Sequence, residues 1–202
     1  DHIDYHESFA NYRDTKKKIF DSLPNSSFSL INSDDRNSKY IIQNSKSKKY
    51  TYGIKNKSDF NSSILEIQLD GMLMNIDKNE IWTKLIGDFN AYNILAIYSL
   101  GKIYELDTIR LLKTISQLEN VQGRLQSFIT KDRVTVIIDY AHTPDALENV
   151  LKTINKIRSV KQRLITVVGC GGNRDTKKRP LIGNLVSELS SYVIFTSDNP
   201  RS

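Results

Sequence analysis

Several short stretches of this chain crowd side chains able to do chemistry. "DHIDYH" sets Asp1, His2, Asp4 and His6 ahead of the first helical pattern. Such oxygen and imidazole donors can hold magnesium, manganese or zinc, although their spacing matches no named zinc motif. "DYAHTP" places Asp139 three residues before His142. A strand-end carboxylate followed by an imidazole can hold a ribose or a metal, and the imidazole can donate or accept near neutral pH; a lone histidine is also commonly structural. "GDFNAYN" offers Asn90 and Asn93. Each amide carries a donor and an acceptor and so can read an adenine edge, while Asn90 also suits an ordinary helix cap.

The densest stretch is "GCGGNRDTKKRP", with three glycines and four basic residues between Gly169 and Pro180. It lacks the Gly-Lys-Ser/Thr ending of a Walker A loop, and a dinucleotide fingerprint would need glycine where Arg174 stands. Glycines still let the backbone approach a ligand, and Arg174 and Arg179 can present forked donors to a carboxylate or phosphate. Three readings stay open on these residues alone: an anion-binding loop, a basic surface for nucleic acid, and a solvated turn.

These residues need elements to position them. The pattern predicts a helix over 8–20, capped by Ser8, with Phe9, Tyr12, Lys16 and Phe20 near one stripe. "SFSLINSDDRN" reads as a strand entering a polar turn, followed by a meander from "YTYGI" to "EIWTKL" with turns at Asp70-Gly71 and Asp77-Lys78-Asn79. Met72 and Met74 share a strand face, which suits packing. Helices follow from Asn90, carrying Ile94, Leu95, Ile97, Tyr98 and Leu100, and over 107–118. Gly123 suits a hinge, and a domain boundary is expected near Asn120.

Beyond that boundary, "VTVIID", a helix opened by Pro144, "LITVVG", a helix from about Pro180 and "YVIFTS" alternate. The pattern is βαβαβ, which predicts one parallel sheet with right-handed crossovers. Asp139, Gly169 to Arg174 and Asp198 to Arg201 then follow strand C-termini, where open α/β sheets collect ligands.

Bulk properties narrow the class. The 202 residues allow one domain or two small ones, and 39% hydrophobic content with ten tyrosines argues against disorder. The formal charge of +6 is spread along the chain, without the continuous basic footprint that nucleic-acid binders use, so no nucleic-acid partner is expected. An anionic small substrate fits the sign. The single Cys170 excludes an intramolecular disulfide and suits a cytoplasmic setting. No apolar run is long enough to span a bilayer, so no membrane insertion is expected. Both ends read as cut from something longer.

In this order, "DHIDYH…NYRDTK", "GDFNAYN", "GRLQSF", "DYAHTPDALENVL", "GCGGNRDTKKRP" and "TSDNPRS" resemble the Mur ligase family of peptidoglycan synthesis over essentially the whole chain. The resemblance implies an α/β fold: the latter part of a central ATPase domain over 1–120, lacking its P-loop, then the first half of a Rossmann-like C-terminal domain over 121–202. It implies a cytoplasmic ligase using ATP and Mg2+ to join meso-diaminopimelate to UDP-N-acetylmuramoyl-L-alanyl-D-glutamate through an acyl phosphate. The 202 residues alone are then expected to be inactive, and the alternative is a non-catalytic fragment that keeps nucleotide or amino-acid binding.

By the same resemblance His2 is a magnesium ligand and Lys16 a lysine carbamylated to organise magnesium. Asn90 and Asn93 lie beside the adenine, Arg124 reaches ATP, and Asp139 and His142 line the nucleotide. Arg174, Asp198, Asn199 and Arg201 form the amino-acid pocket, and the "DNPR" form is the one associated with meso-diaminopimelate, whose distal carboxylate lysine lacks. Three departures stand out: Asn173 replaces the usual aspartate, Gln126 replaces the glutamate of "GR-x-E", and "RDTK" stands where "AAK" is commoner.

Overall fold

A computed structural model describes residues 8–172 and 178–199. Its contacts divide the chain into two compact units. One takes the chain up to Glu66 with Met72–Lys84 and Asp88–Leu118; the other takes Ile67–Gly71, Leu85–Gly87 and the chain from Glu119. Among the described residues no helix is long and apolar enough to cross a membrane.

In the first unit, helix α1 (Phe9–Asp21) starts where Ser8 accepts the Asn11 N–H at 3.2 Å. Its buried residue is Lys17, paired one turn on with Asp21. Strand β1 (Phe28–Asn32) leads into a short helix α2 (Ser38–Ile42) that the sequence pattern did not announce. Strands β2 (Lys48–Gly53), β3 (Phe60–Gln68), β4 (Gly71–Ile76) and β5 (Asn79–Thr83) complete a sheet in the order β1-β2-β3-β4-β5.

The expected meander is corrected at its start. β2 pairs parallel with both β1 and β3, whereas β4 pairs antiparallel with β5. The chain from Asn32 to Lys48 includes α2 and forms a crossover long enough to return β2 in the same direction. At the hairpin, Asp77 (φ 47°) and Lys78 (φ 67°) supply the two positive-φ positions that a tight right-twisted turn requires.

Met72, Met74 and Ile76 of β4 are fully buried, and helix α3 (Asp88–Ile103), which packs against β1 and β2, buries Ala91, Ile94, Leu95 and Tyr98. Ile97 and Leu100 are 46% and 42% exposed, because the buried stripe runs 91-94/95-98 and leaves them to the side. Helix α4 (Thr108–Ser116) is capped by Asp107 and packs close to α3. A Cβ on Gly101 would stand 2.6 Å from Leu111 Cδ2.

The second unit opens with a hairpin of β6 (Gln126–Ile129) and β7 (Thr135–Ile138). Helix α5 (Pro144–Ile157), strand β8 (Ile165–Gly171), helix α6 (Lys178–Leu189) and strand β9 (Tyr192–Asp198) follow. β8 and β9 are parallel, as the crossover through α6 requires. The expectation of one βαβαβ sheet is corrected: β7 pairs antiparallel with β6, and among the described residues no ladder joins it to β8. A five-residue connection closes that hairpin, with the Thr130 N–H donating to Val134 O at 2.9 Å, so the pairing costs little loop entropy. Leu147 and Leu151 of α5 meet Ile182 and Val186 of α6 in the core, with Val168 and Val193 packed beneath.

The loops of the first unit converge on Asp34, just past β1. Its carboxylate accepts the N–H groups of Ile54 (2.7 Å), Lys55 (2.9 Å) and Asn56 (2.8 Å) and the Tyr92 hydroxyl (2.9 Å). Partial burial pushes the carboxyl up, but these four donors outweigh it and lower it from 3.8 to about 2. A depressed folded-state value stabilises the fold above the unfolded carboxylate range, and that contribution is lost as pH falls through the folded value. Urea unfolding between about pH 5 and pH 2 is therefore expected to show Asp34→Asn less stable than wild type at the upper end, with a smaller further loss on acidification. Parallel curves for the two proteins would contradict the assignment.

Candidate functional site

Asn90 and Asn93 stand in the opening turns of α3, where the Asn93 side-chain amide donates to Asn90 Oδ1 at 3.3 Å. Asn90 is buried and Asn93 exposed, so the pair forms a linked amide edge with one anchored member and one reaching solvent. Lys16 is exposed, and its ammonium lies 4.9 Å from the Tyr12 ring centroid, a cation–π contact. Asp14 turns elsewhere: it accepts the Tyr40 hydroxyl at 2.8 Å and pairs with Arg13, and the Tyr40 bond is the main cause of its lowered pKa. The departure "RDTK" thus puts no carboxylate on Lys16. His2 lies outside the described residues, among which no group of three or more metal-binding side chains occurs.

In the second unit, the segment before β6 is shaped by two left-handed residues, Gly123 (φ 72°) and Leu125 (φ 43°). Leu125 is strained for a branched side chain but 0% exposed, so its burial helps fix the conformation. Asp139, at the end of β7, supplies the rest: its two oxygens accept the Leu125 N–H at 2.8 Å and the Ala141 N–H at 2.7 Å. One carboxylate thereby ties the Arg124 segment to the "DYAH" loop. The Arg124 guanidinium carbon lies 5.5 Å from the Tyr140 ring centroid, and the Tyr140 and His142 rings meet edge to face at 5.1 Å. His142 Nδ1 is 3.1 Å from Tyr140 O. Thr143 caps α5 and Pro144 opens it.

Arg124, Asp139 and His142, singled out in the sequence, are therefore brought together. Tyr140, which joins two of them, was not; its only signal is an aromatic residue between two polar site residues. Gln126 retains a structural task, accepting the Gly123 N–H at 3.2 Å through Oε1.

At the ends of β8 and β9, Gly169, Cys170 and Gly171 register with Thr196, Ser197 and Asp198, and the Gly172 N–H donates to Asn199 O at 3.1 Å. A Cβ on Gly169 would stand 2.7 Å from Asp198 Cβ and 2.9 Å from Thr196 O, so only glycine fits this approach. A cleft of about 420 Å³ opens here, lined in part by Gly169, Cys170, Gly172, Arg179, Thr196 and Asp198. A basic and an acidic residue thus line one volume, a combination suited to an amino acid. Arg174 and Arg201 lie outside the described residues, as does Asn173. Asn199 is described, exposed, and at φ 40°.

Comparison with known proteins finds two matching domain families. The Mur ligase middle domain matches residues 1–101, and the Mur ligase glutamate ligase domain matches 123–202. The UDP-N-acetylmuramoyl-L-alanyl-D-glutamate–2,6-diaminopimelate ligase of Cytophaga hutchinsonii is 46% identical over 202 residues, which are 100% of this chain and 41% of that relative. The protein of the same name from Parabacteroides distasonis is 45% identical over 201 residues, with the same shares of the two chains. A solved structure of a ligase with that name superposes with a TM-score of 0.67 at 33% identity, covering 100% of this chain and 42% of its own. The chain spans about two fifths of the length of the curated relatives it matches.

Because Gly169 has no room for a methyl group, Gly169→Ala is expected to push β9 from β8 and to destabilise the fold by about 1–3 kcal/mol. Denaturant unfolding measures this, and an unchanged midpoint would show that the strands can separate at no cost.

Proposed function

The chain belongs to the Mur ligase family, and from that premise we propose that it forms part of a cytoplasmic ATP-dependent ligase that joins meso-diaminopimelate to UDP-N-acetylmuramoyl-L-alanyl-D-glutamate. On this reading residues 1–120 are part of the central ATP-binding domain and 121–202 part of the C-terminal domain. The observation that carries the substrate class is the cleft at β8 and β9, where Arg179 and Asp198 border one volume. Diaminopimelate has ammonium and carboxylate groups at both ends and needs both signs. The relatives at 45–46% identity bear the name of that activity.

The reaction balances in two steps. The terminal carboxylate of the UDP-linked dipeptide takes the γ-phosphoryl group from ATP, releasing ADP and leaving an acyl phosphate. The amine nitrogen of diaminopimelate then attacks the acyl carbon and loses a proton; phosphate leaves with the former carboxylate oxygen, and the amide remains. The chain's own residues bind and orient. Asn90 and Asn93 provide the donor and acceptor that an adenine edge pairs with. Arg124, held over Tyr140, keeps guanidinium donors for the triphosphate, and Asp139 fixes the backbone that carries it. His142 lines the nucleotide beside Tyr140.

Asp198 and Asn199 orient the incoming amine, and Arg174 and Arg201 grip its carboxylates. The arginine that meets the distal carboxylate is left unpaired by lysine, so it discriminates between the two amino acids. For magnesium, the donor chemistry sets a condition. The bare ammonium of Lys16 cannot ligate a cation, whereas its carbamate can, so His2 and carbamylated Lys16 are the residues that would hold it. Held there, magnesium would supply positive charge to screen the phosphates.

Two outcomes test the reading in the complete gene product. With UDP-muramoyl-dipeptide and ATP, diaminopimelate is expected to be ligated in preference to lysine, and Arg201→Ala to lower kcat/KM for diaminopimelate by about 10- to 100-fold with the KM for ATP unchanged. An unaltered amino-acid preference in that variant would remove the arginine from the pocket. Lys16→Ala is expected to lose most ligase activity and to regain part of it with added formate or acetate, which replace the carbamate's oxygens. No activity loss, or loss without rescue, would count against carbamylation.

A further inference from the structure

Helix α3 is held to its sheet by two phenol–carboxylate bonds. The Tyr92 hydroxyl donates to Asp34 at 2.9 Å near the start of the helix, and the Tyr98 hydroxyl donates to Asp77 at 2.8 Å farther along. In both tyrosines burial pushes the phenol pKa up, and the bonded carboxylate pushes it further, so each stays a donor through the neutral range. The two ties have different settings. Tyr98 is fully buried in the core, and Asp77 sits in a hairpin turn. Tyr92 is half-buried and stands between Asn90 and Asn93. Its partner is itself immobilised by three consecutive backbone N–H groups, from Ile54 to Asn56.

A carboxylate with that many donors is a fixed point, and a phenol bonded to it sets the roll of the helix turn that bears it. The roll matters because a rotation of about 15° moves an atom roughly 6 Å from the helix axis by roughly 1.5 Å. That displacement exceeds the tolerance of a hydrogen bond to a planar base edge.

We propose that Asp34 and Tyr92 are positioning residues for base recognition, setting the roll of α3 so that the Asn90 and Asn93 amides face the edge of an adenine. The proposal rests on the reading of those asparagines as base contacts and extends it to two residues that touch no nucleotide. It also separates the two phenols: Tyr92 governs nucleotide selectivity and Tyr98 governs stability alone.

Tyr92→Phe keeps the ring and leaves Asp34 its three N–H donors, so the fold is retained. Calorimetric titration of the complete gene product with ATP and with inosine triphosphate, which lacks the exocyclic amine, measures base selectivity without turnover. The expected result is a fall of roughly 3- to 10-fold in the preference for ATP in Tyr92→Phe, with Tyr98→Phe keeping wild-type preference despite a lower melting temperature. Asp34→Asn serves as a second variant and is expected to shift preference in the same direction. Unchanged preference in Tyr92→Phe, or an equal fall in Tyr98→Phe, overturns the proposal. Asn93→Ala separates the premise: if it lowers preference while Tyr92→Phe does not, only the positioning role falls; if Asn93→Ala leaves preference unchanged, the base-contact reading falls with it.

Discussion

Backbone N–H groups that leave a strand or enter a turn must find acceptors, and in both units a carboxylate just past a strand end provides them. Asp34 follows β1 and gathers the N–H groups of three consecutive residues with a phenol; Asp139 follows β7 and gathers those of Leu125 and Ala141. An ionised carboxylate suits this task because it accepts from several directions at once and its bonds are charge-assisted. The arrangement fixes loops that offer little to a hydrophobic core: Lys55 and Asn56 are exposed, and only in the second unit does a buried side chain, Leu125, add packing to the carboxylate's hold. Asn90 with Asn93, and Arg124 with His142, are carried on segments organised in this way.

The end of β8 and β9 follows a different rule. There the backbone itself approaches, because Gly169 permits a contact with Asp198 that any Cβ would forbid. The glycine-rich stretch therefore acts first through packing: it brings the strand ends together and leaves a cleft beside them. The basic residue that borders the cleft among those described is Arg179, at the start of α6. The spacing of that stretch already ruled out a P-loop, and among the described residues a basic and an acidic one, Arg179 and Asp198, line the cleft.

Local signals were the legible part of this sequence. The Ser8 cap, the turn at Asp77-Lys78, Pro144 at the start of α5 and the apolar stripe through Ile94, Leu95 and Tyr98 each arise within a few residues and were readable. Strand partners were not. A run such as "KKYTYG" has the same period whether its neighbour is parallel or antiparallel, and the β6–β7 hairpin took an edge that the alternating pattern assigned to a parallel sheet. Asp34 was invisible for a similar reason: its partners lie 20 to 58 residues away, in loops of ordinary polar composition. On α1 the stripe identified Lys16, whereas the lysine that is buried is Lys17, because Asp21 one turn on neutralises it. Arg124, Asp139 and His142 could be chosen by type and spacing, but the ring of Tyr140 between them could not.

Gln126 shows how a site can change a charge and keep its architecture. The segment needs an acceptor for the Gly123 N–H at a left-handed position, and an amide oxygen fills that need at 3.2 Å as a carboxylate oxygen would. What the amide does not supply is a negative charge two residues from Arg124. The guanidinium then meets the Tyr140 ring, which attracts a cation without saturating its hydrogen-bond donors. A glutamate here would set a negative charge near those donors; a glutamine does not. Holding the turn therefore needs only an acceptor at position 126, and the charge of that acceptor is not what the fold requires.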